Sequence, residues 1–539
     1  MSIPRSYMLG QDVTEKENTR LGARYPFMLT PKQNLDFCYR SGVKVATCYA
    51  FSIDNFKRPN DQVDFLMELF KVLIDVISAP GGELHRNCVA LRVLGQTTLL
   101  PLDLQKEILR TTELTKENGG NVVNICLAYT SRDEISSAIR ATVASSRGTE
   151  NVPQPVCFEV NGPRLVSANV TMEMLNSNML IVDDSPLDLL VRSSGTNRLS
   201  DFLLWQCHQN TDLAFVNSMW PEFRTWQLFS VLWRWQRRQP KRRSSEQRQI
   251  WHDIRIQHVA YVFIYAYFSM CAFFSQCYNF LDRIPSWAYQ ARTPESILRD
   301  VKWLKRIPSH LGVILTPDRG DEDLEKLMKD VAELIVWSMS AGVPVLNIYE
   351  STGILKSSMS NLQRIITDKV SSLYPSNEPG FRLFASHCGT QGFHLSIQSN
   401  DDAPTSLALF FLSSTDGRDT ILEVTKTLAQ RYHDGKLSLE DINIDLIDNE
   451  LQKMSFVPRP LSQSDDGLED TLLPTTLESV KSEPDLLIIF GQDARLHGYP
   501  PWQIRLSEIF CTGRSNVVTY RDFLKGLCLY AGAEMRFGR

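Results

Sequence analysis

Apolar positions in the first half of the chain fall into short β-branched runs, separated by longer segments in which they recur every three or four residues. Runs at 43–51, 89–94, 122–129 and 189–192 predict buried strands, and the stretches 61–77 and 102–118 predict amphipathic helices between them. The second half repeats the alternation, with strands predicted at 311–316, 343–349, 381–385, 405–413 and 486–490. Strands alternating with helices imply right-handed βαβ crossovers and a mostly parallel sheet, with ligands at the carboxyl ends of the strands.

The halves also agree in register. Gly42-Val43 opens an apolar strand ending at Tyr49, and Gly342-Val343 opens one ending at Tyr349, so each Gly-to-Tyr spacing is 7. Asp188-Leu189-Leu190-Val191 stands 17 residues before Trp205-Gln206, as Asp485-Leu486-Leu487-Ile488 stands 17 before Trp502-Gln503. Arg198-Leu199 and Arg495-Leu496 match inside those windows, and the two landmarks are 146 residues apart in the first half and 143 in the second. Several matches in register predict two homologous α/β domains, each a mostly parallel sheet flanked by helices.

Between the halves the pattern breaks. Residues 256–281 are 26 positions without Asp, Glu, Lys or Arg. As a helix rising 1.5 Å per residue they would cross a hydrocarbon core of about 30 Å. Arg234, Arg237, Arg238, Lys241, Arg242, Arg243 and Arg248 precede them, with Glu246 the acid among them. A basic flank beside an apolar run predicts a membrane-associated linker with a cytosolic flank; a solvated linker followed by a buried core helix is the competing reading. Residues 462–484 are acidic and poor in large apolar side chains, which predicts a disordered insertion. Its Asp465, Asp466 and Asp470 read as solvated acids rather than a metal site.

Composition narrows the class. A chain of 539 residues, 43% hydrophobic and 22% charged, is long enough for two to four domains and is neither a disordered tail nor a fibrous repeat. With Lys+Arg 57 against Asp+Glu 62 there is no global basic field to favour nucleic acid. The 11 cysteines contain no C-x-x-C pair and lie mostly inside apolar runs, which predicts reduced, buried thiols on the cytosolic side and neither zinc nor disulfides. Residues 1–30 are polar and carry charges of both signs, so no signal peptide is expected there.

Candidate chemistry follows the strands. Ser52-Ile53-Asp54-Asn55-Phe56-Lys57-Arg58 offers a hydroxyl, an amide and two cations at a strand end. Arg192-Ser193-Ser194-Gly195-Thr196-Asn197-Arg198-Leu199-Ser200-Asp201 sets two arginines six residues apart, with a glycine and hydroxyls between them. That spacing suits an anion held by guanidinium forks and free amides; a strand-to-helix loop with surface arginines is the competing reading. Two such loops favour a di- or polyphosphate. Neither fits G-x-x-x-x-G-K-[ST] or G-x-G-x-x-G, which disfavours a nucleotide.

Ala50 to Arg58, Arg92-Val93-Leu94-Gly95, Ala128-Tyr129-Thr130-Ser131-Arg132-Asp133-Glu134-Ile135, the tract from Arg192 to Gln206 and Trp220-Pro221-Glu222-Phe223 resemble the cis-prenyltransferase family, specifically its dehydrodolichyl diphosphate synthase catalytic subunits, over residues 30–235. The second half, from about residue 292, resembles the Nogo-B receptor type accessory subunits. This resemblance rests on Arg299-Asp300-Val301-Lys302, Ile307-Pro308-Ser309-His310-Leu311, Val336-Trp337-Ser338-Met339, the tract from Pro484 to Glu508, and the terminal Arg536-Phe537-Gly538-Arg539. It implies a divergent segment 1–29, a catalytic-type domain 30–235, a basic and apolar linker 236–285, and an accessory domain 286–539.

It further implies cis additions of isopentenyl diphosphate to farnesyl diphosphate with Mg2+, giving a polyprenyl diphosphate for dolichol and protein glycosylation. The setting would be the endoplasmic reticulum membrane, in contact with its lipids, with both domains facing the cytosol. Arg192, Arg198 and Ser200 would hold isopentenyl diphosphate, and Ser52, Asn55 and Arg58 would line the allylic side. Arg536 and Gly538 would complete the site from the other domain, by intramolecular pairing or in a higher oligomer. Leu66, Met67, Leu69 and Phe70 are a candidate tunnel wall, and core packing accounts for them equally. Opposite Arg192, Ser200 and Asn55 the second half carries Ile489, His497 and Leu355, which makes it the accessory domain.

The sequence departs from the family in two places. No M-D-G-N-R-R loop occurs within residues 1–30, and Thr196 replaces the Glu usual after the glycine. No catalytic residue is therefore assigned, and an inactive scaffold or accessory subunit is the alternative function. A complete crossing by residues 256–281 would part the two domains, so a shared site predicts an interfacial or re-entrant segment.

Overall fold

The repeated Gly-Val landmark is a helix stop. The helix Leu29–Arg40 ends where Gly42, at φ 87°, donates to Tyr39 O and Val43 donates to Cys38 O. Gly342, at φ 77°, and Val343 repeat this on Met339 O and Ser338 O at the end of helix Asp321–Ser340. This is the paired Schellman bonding in which a left-handed glycine satisfies orphan carbonyls. The strands therefore begin two residues later than the apolar runs suggested.

The computed structural model describes residues 29–78, 83–146, 170–181, 186–219, 222–238, 293–316, 321–374, 380–385, 393–397, 405–456, 483–513 and 517–533. Strands β1 (Val45–Tyr49), β2 (Val89–Leu94) and β3 (Asn121–Cys126) form a parallel sheet in the order β1-β3-β2. Strands β4 (Leu189–Arg192) and β5 (Asp212–Phe215) form a second parallel pair. The second half contributes β6 (His310–Leu315), β7 (Val345–Glu350), β8 (Gly380–Ala385), β9 (Phe393–Ile397), β10 (Thr405–Leu412), β11 (Leu486–Phe490) and β12 (Glu508–Cys511). Their order is β12-β11-β6-β7-β10-β8-β9, parallel except for β8 with β9.

Three strands, β5, β9 and β12, were not expected from the pattern. β5 and β12 have only 4 residues each and open on an acid, too short for a period-two signal. The register reproduces the repeat: Tyr49 pairs with Cys126 as Tyr349 pairs with Leu412, and Leu189 with Asp212 as Leu486 with Glu508. In the second half β6 lies between β11 and β7. Among the described residues no strand joins β4 to β1, and the expected segment 1–29 lies almost wholly outside them.

Helix Asn60–Ser78 buries Leu66, Met67, Leu69 and Phe70 in one core with Phe51 and Ile74. Full burial of such side chains contributes about 1.5–3 kcal/mol each. Gly95 closes β2 at φ 129°, where an added Cβ would stand 2.1 Å from Leu127 O. Gly95→Ala is expected to cost about 2–3 kcal/mol by forcing strained backbone against a carbonyl. Urea unfolding with an unchanged midpoint would refute this.

The thiol expectation needs one correction. Among the described cysteines Cys126 and Cys207 are buried, and burial pushes both thiols up; Cys38, Cys48, Cys511 and Cys528 are half-buried, and Cys88 is exposed. Among the described residues no helix is long and apolar enough to cross a membrane. The segment 256–281 and the basic residues at 241–248 lie outside them. The insertion expectation also shifts at its end, because Glu483 is an anchored acid that pairs with Arg132 and with Arg505.

Candidate active site at the junction of the two halves

Polar contacts between the halves come in matched pairs. Arg198 meets Glu508 at 2.9 Å, and its repeat counterpart Arg495 meets Asp212 at 2.6 Å. Leu213 N donates to Ala494 O and Ile509 N to Asn197 O; Asp201 N donates to Arg505 O and Gly498 N to His208 O. Arg132, six residues past the end of β3, stacks over Trp502 at 4.9 Å and donates to its carbonyl. Arg418, six past the end of β10, stacks over Trp205 at 4.6 Å and donates to its carbonyl likewise. The apolar core is shared too, since Leu190, Leu199 and Leu204 cluster with Leu487, Ile489 and Tyr499. The tryptophan repeat was legible in the sequence. Its arginines were not, because nothing local links Arg132 to Arg418.

The arginine loop sits on this junction. After β4 the chain turns through left-handed Ser194 and Gly195, then through left-handed Ser200 and Asp201, at φ 80°, 67°, 54° and 60°. Non-glycine residues held there cost of order 1–3 kcal/mol each, and such positions cluster at functional sites. The turns fold Arg192 back so that Nε donates to Thr196 Oγ1 at 3.4 Å and Nη2 to Ser200 Oγ at 3.5 Å. Arg198 is buried against Glu508 rather than lying open at the surface. Burial pushes the Glu508 carboxyl up, and its partner Arg198 opposes that shift, as do the charges of Arg306 and Arg192 more weakly. Arg306 also donates to Tyr530 O and Ala533 O, which fixes the end of helix Tyr520–Gly532 beside the cluster. Neither Glu508 nor Arg306 was singled out from sequence. Arg536 and Gly538 lie outside the described residues, which end at Ala533.

The other loop adjoins the first. Ser52 bridges to Tyr129, Ser131 N donates to Asp201 O at 2.8 Å, and Ser200 is next in the chain. Ser52 and Asn55 form a capping box on the short helix Ile53–Lys57, so both are held by local bonds, and Asn55 is buried. Nε and Nη1 of Arg58 are buried with no hydrogen-bond partner. The residue as a whole is half-buried, and two buried, unpaired donors are costly unless an acceptor arrives, which suits an anion site. In the second half Leu355 and Ile489 are core residues.

No three of His, Cys, Asp and Glu converge among the described residues in a way that could hold a metal. Glu508 is engaged by Arg198. Mg2+ of the kind the resemblance implies takes one or two carboxylates beside the substrate's phosphates and needs no such three-ligand cage.

Asp201, buried below the arginine loop, has its pKa pushed up to about 6 by burial, opposed by Arg132 and Arg505. A raised folded pKa means that the native state holds the proton longer than the unfolded chain does. Stability should therefore fall as pH rises from about 4 to 6, and this slope should be absent in Asp201→Asn. Superimposable urea-midpoint profiles for the two chains over that window would contradict the assignment.

Residues 17–243 match the Prenyltransf family, described as undecaprenyl diphosphate synthase. A dehydrodolichyl diphosphate synthase complex subunit of Schizosaccharomyces pombe is 36% identical over 205 residues, covering 38% of this chain and 72% of that protein. The chain belongs to this prenyltransferase family, whose members are transferases of prenyl groups. The complex subunit NUS1 of Saccharomyces cerevisiae is 31% identical over 265 residues, covering 46% of this chain and 64% of that protein. The human complex subunit DHDDS is 38% identical over 205 residues, covering 38% and 57% respectively.

Proposed function

We propose that this chain synthesises a long polyprenyl diphosphate by cis condensation of isopentenyl diphosphate onto farnesyl diphosphate, in the presence of Mg2+, as a precursor of dolichol for protein glycosylation. The observation that carries the reading is the arginine loop itself, in which Arg192 folds back onto Thr196 and Ser200 while Arg198 is paired with Glu508 of the second half. Such a loop can neutralise and orient a diphosphate that is retained in the product, while charge developing on the departing allylic diphosphate would fall to the Arg58 side. Arg192 and Ser200 would hold the isopentenyl diphosphate, with Arg198 positioned by Glu508, and Arg58 with its orphaned donors would face the allylic diphosphate.

The two halves would be a catalytic-type and an accessory domain fused in one polypeptide. The matched contacts at their junction support this. Arg306 holds Ala533 three residues before Arg536, which supports a role for Arg536 and Gly538 in completing the site. Residues 256–281 would then hold both halves on the cytosolic side of the endoplasmic reticulum membrane without separating them.

The test is incubation of the full chain with farnesyl diphosphate, radiolabelled isopentenyl diphosphate and Mg2+ in detergent or liposomes. Labelled long-chain product is expected. Absence of elongation would leave the alternative, an accessory subunit or scaffold. Arg536→Ala should reduce turnover sharply at unchanged thermal stability, and unchanged turnover would sink the shared-site part of the proposal.

A further inference from the structure

The pairing of the halves is unequal at one point. Arg132 is charge-compensated: Asp448 lies 3.3 Å away, Glu483 is bonded to it, and both acids belong to the second half. Its counterpart Arg418 has no acid within ion-pair distance among the described residues, and its Nε is buried without a partner. Burial pushes the Arg418 pKa down to about 10, the direction expected of a desolvated cation lacking a counter-charge.

Beside it, His208 is 3% exposed, yet neither Nδ1 nor Nε2 has a hydrogen-bond partner. Burial, reinforced by the charge of Arg418, pushes its pKa down to about 3, so the ring is neutral at physiological pH and carries one N–H donor and one acceptor. Both residues line a cavity of about 440 Å³ between the halves, together with Asn210, Ser351, Ser414 and His497. The 16-residue helix Arg418–His433 starts at this cavity, and no side chain caps it. Its first N–H groups add donors and the positive end of a helix dipole. The opposing charge in the lining is Asp419, exposed in the first turn of that helix.

An uncompensated guanidinium, an unsatisfied imidazole, a helix start and two serine hydroxyls form a set dominated by donors, in a space that admits a small molecule. We propose that this cavity binds a phosphate-type oxyanion, either inorganic diphosphate or the diphosphate head of a prenyl substrate, between Arg418 and His208. The site is separate from the Arg192 cluster and does not depend on the function proposed for that cluster.

The test uses the full chain carrying Arg192→Ala, so that loss of the first cluster cannot be mistaken for loss of this one. Histidine-labelled protein is titrated, without metal, with inorganic phosphate, inorganic diphosphate and isopentenyl diphosphate, and the His208 ring resonance is assigned by His208→Gln. A saturable shift of that resonance with a Kd below about 1 mM for diphosphate is expected, weakened at least tenfold by Arg418→Met and restored in part by Arg418→Lys. Similar affinity for inorganic diphosphate and isopentenyl diphosphate would assign binding to the shared head; tenfold tighter binding of either would identify it as the ligand. No saturable shift of His208, or the same affinity in Arg418→Met, would overturn the proposal. If Arg418→Met does not fold, the wild-type resonance still decides.

Discussion

Arg192→Ala is expected to lower isopentenyl incorporation by about a hundredfold with little change in thermal stability, because isopentenyl diphosphate loses a charge-assisted anchor that orients it for reaction. Arg192 is half-buried, and its bonds at 3.4 and 3.5 Å to Thr196 and Ser200 are long. A ligand that replaces them therefore gains charge-assisted bonds at little cost to the fold. Lysine at this position should recover only part of the rate, because it supplies the charge without the planar fork. Steady-state kinetics with purified chain reads the effect, and retention of activity within threefold would remove Arg192 from the site. The mirror position is already Ile489, buried in the core, so the second half offers no replacement.

Arg132→Met should produce the largest loss of stability, about 3–5 kcal/mol, because it strips the guanidinium from two acids and a carbonyl. The side chain is 5% exposed and Glu483 15%, so water reaches this part of the network poorly; Asp448, at 38%, is partly screened and should contribute less. Arg418→Met makes the matched comparison. It removes an equally stacked arginine but leaves no acid behind, and it relieves a desolvated cation, so its cost should be well under half that of Arg132→Met. Urea midpoints of the two variants measured side by side check this, and equal losses would show that stacking on Trp502 and Trp205, rather than charge compensation, sets the energy.

Both predictions concern residues whose partners are distant in sequence. Arg132 reaches Asp448, Glu483 and Trp502 across more than 300 positions. Such contacts leave no local pattern, because a salt bridge has no period and no fixed spacing. The arginine loop was legible because its hydroxyls, glycine and cations are contiguous. Its left-handed turns at Ser200 and Asp201 were not, since neither residue demands positive φ as a glycine does.

The sequence by itself determined the alternation of strands and helices, the doubled register, and which half keeps an arginine, a serine and an asparagine where the other carries Ile489, His497 and Leu355. These are local properties, set by burial period, by the backbone freedom of glycine and by side-chain chemistry. The tertiary structure decided how the halves meet. It committed Arg198 to Glu508, tied Arg306 to the end of the last helix, and left Arg418 without a counter-charge and the His208 ring nitrogens without hydrogen-bond partners beside a cavity. Those outcomes depend on which side chains two folded surfaces bring face to face, and no single stretch of chain contains both members of such a pair.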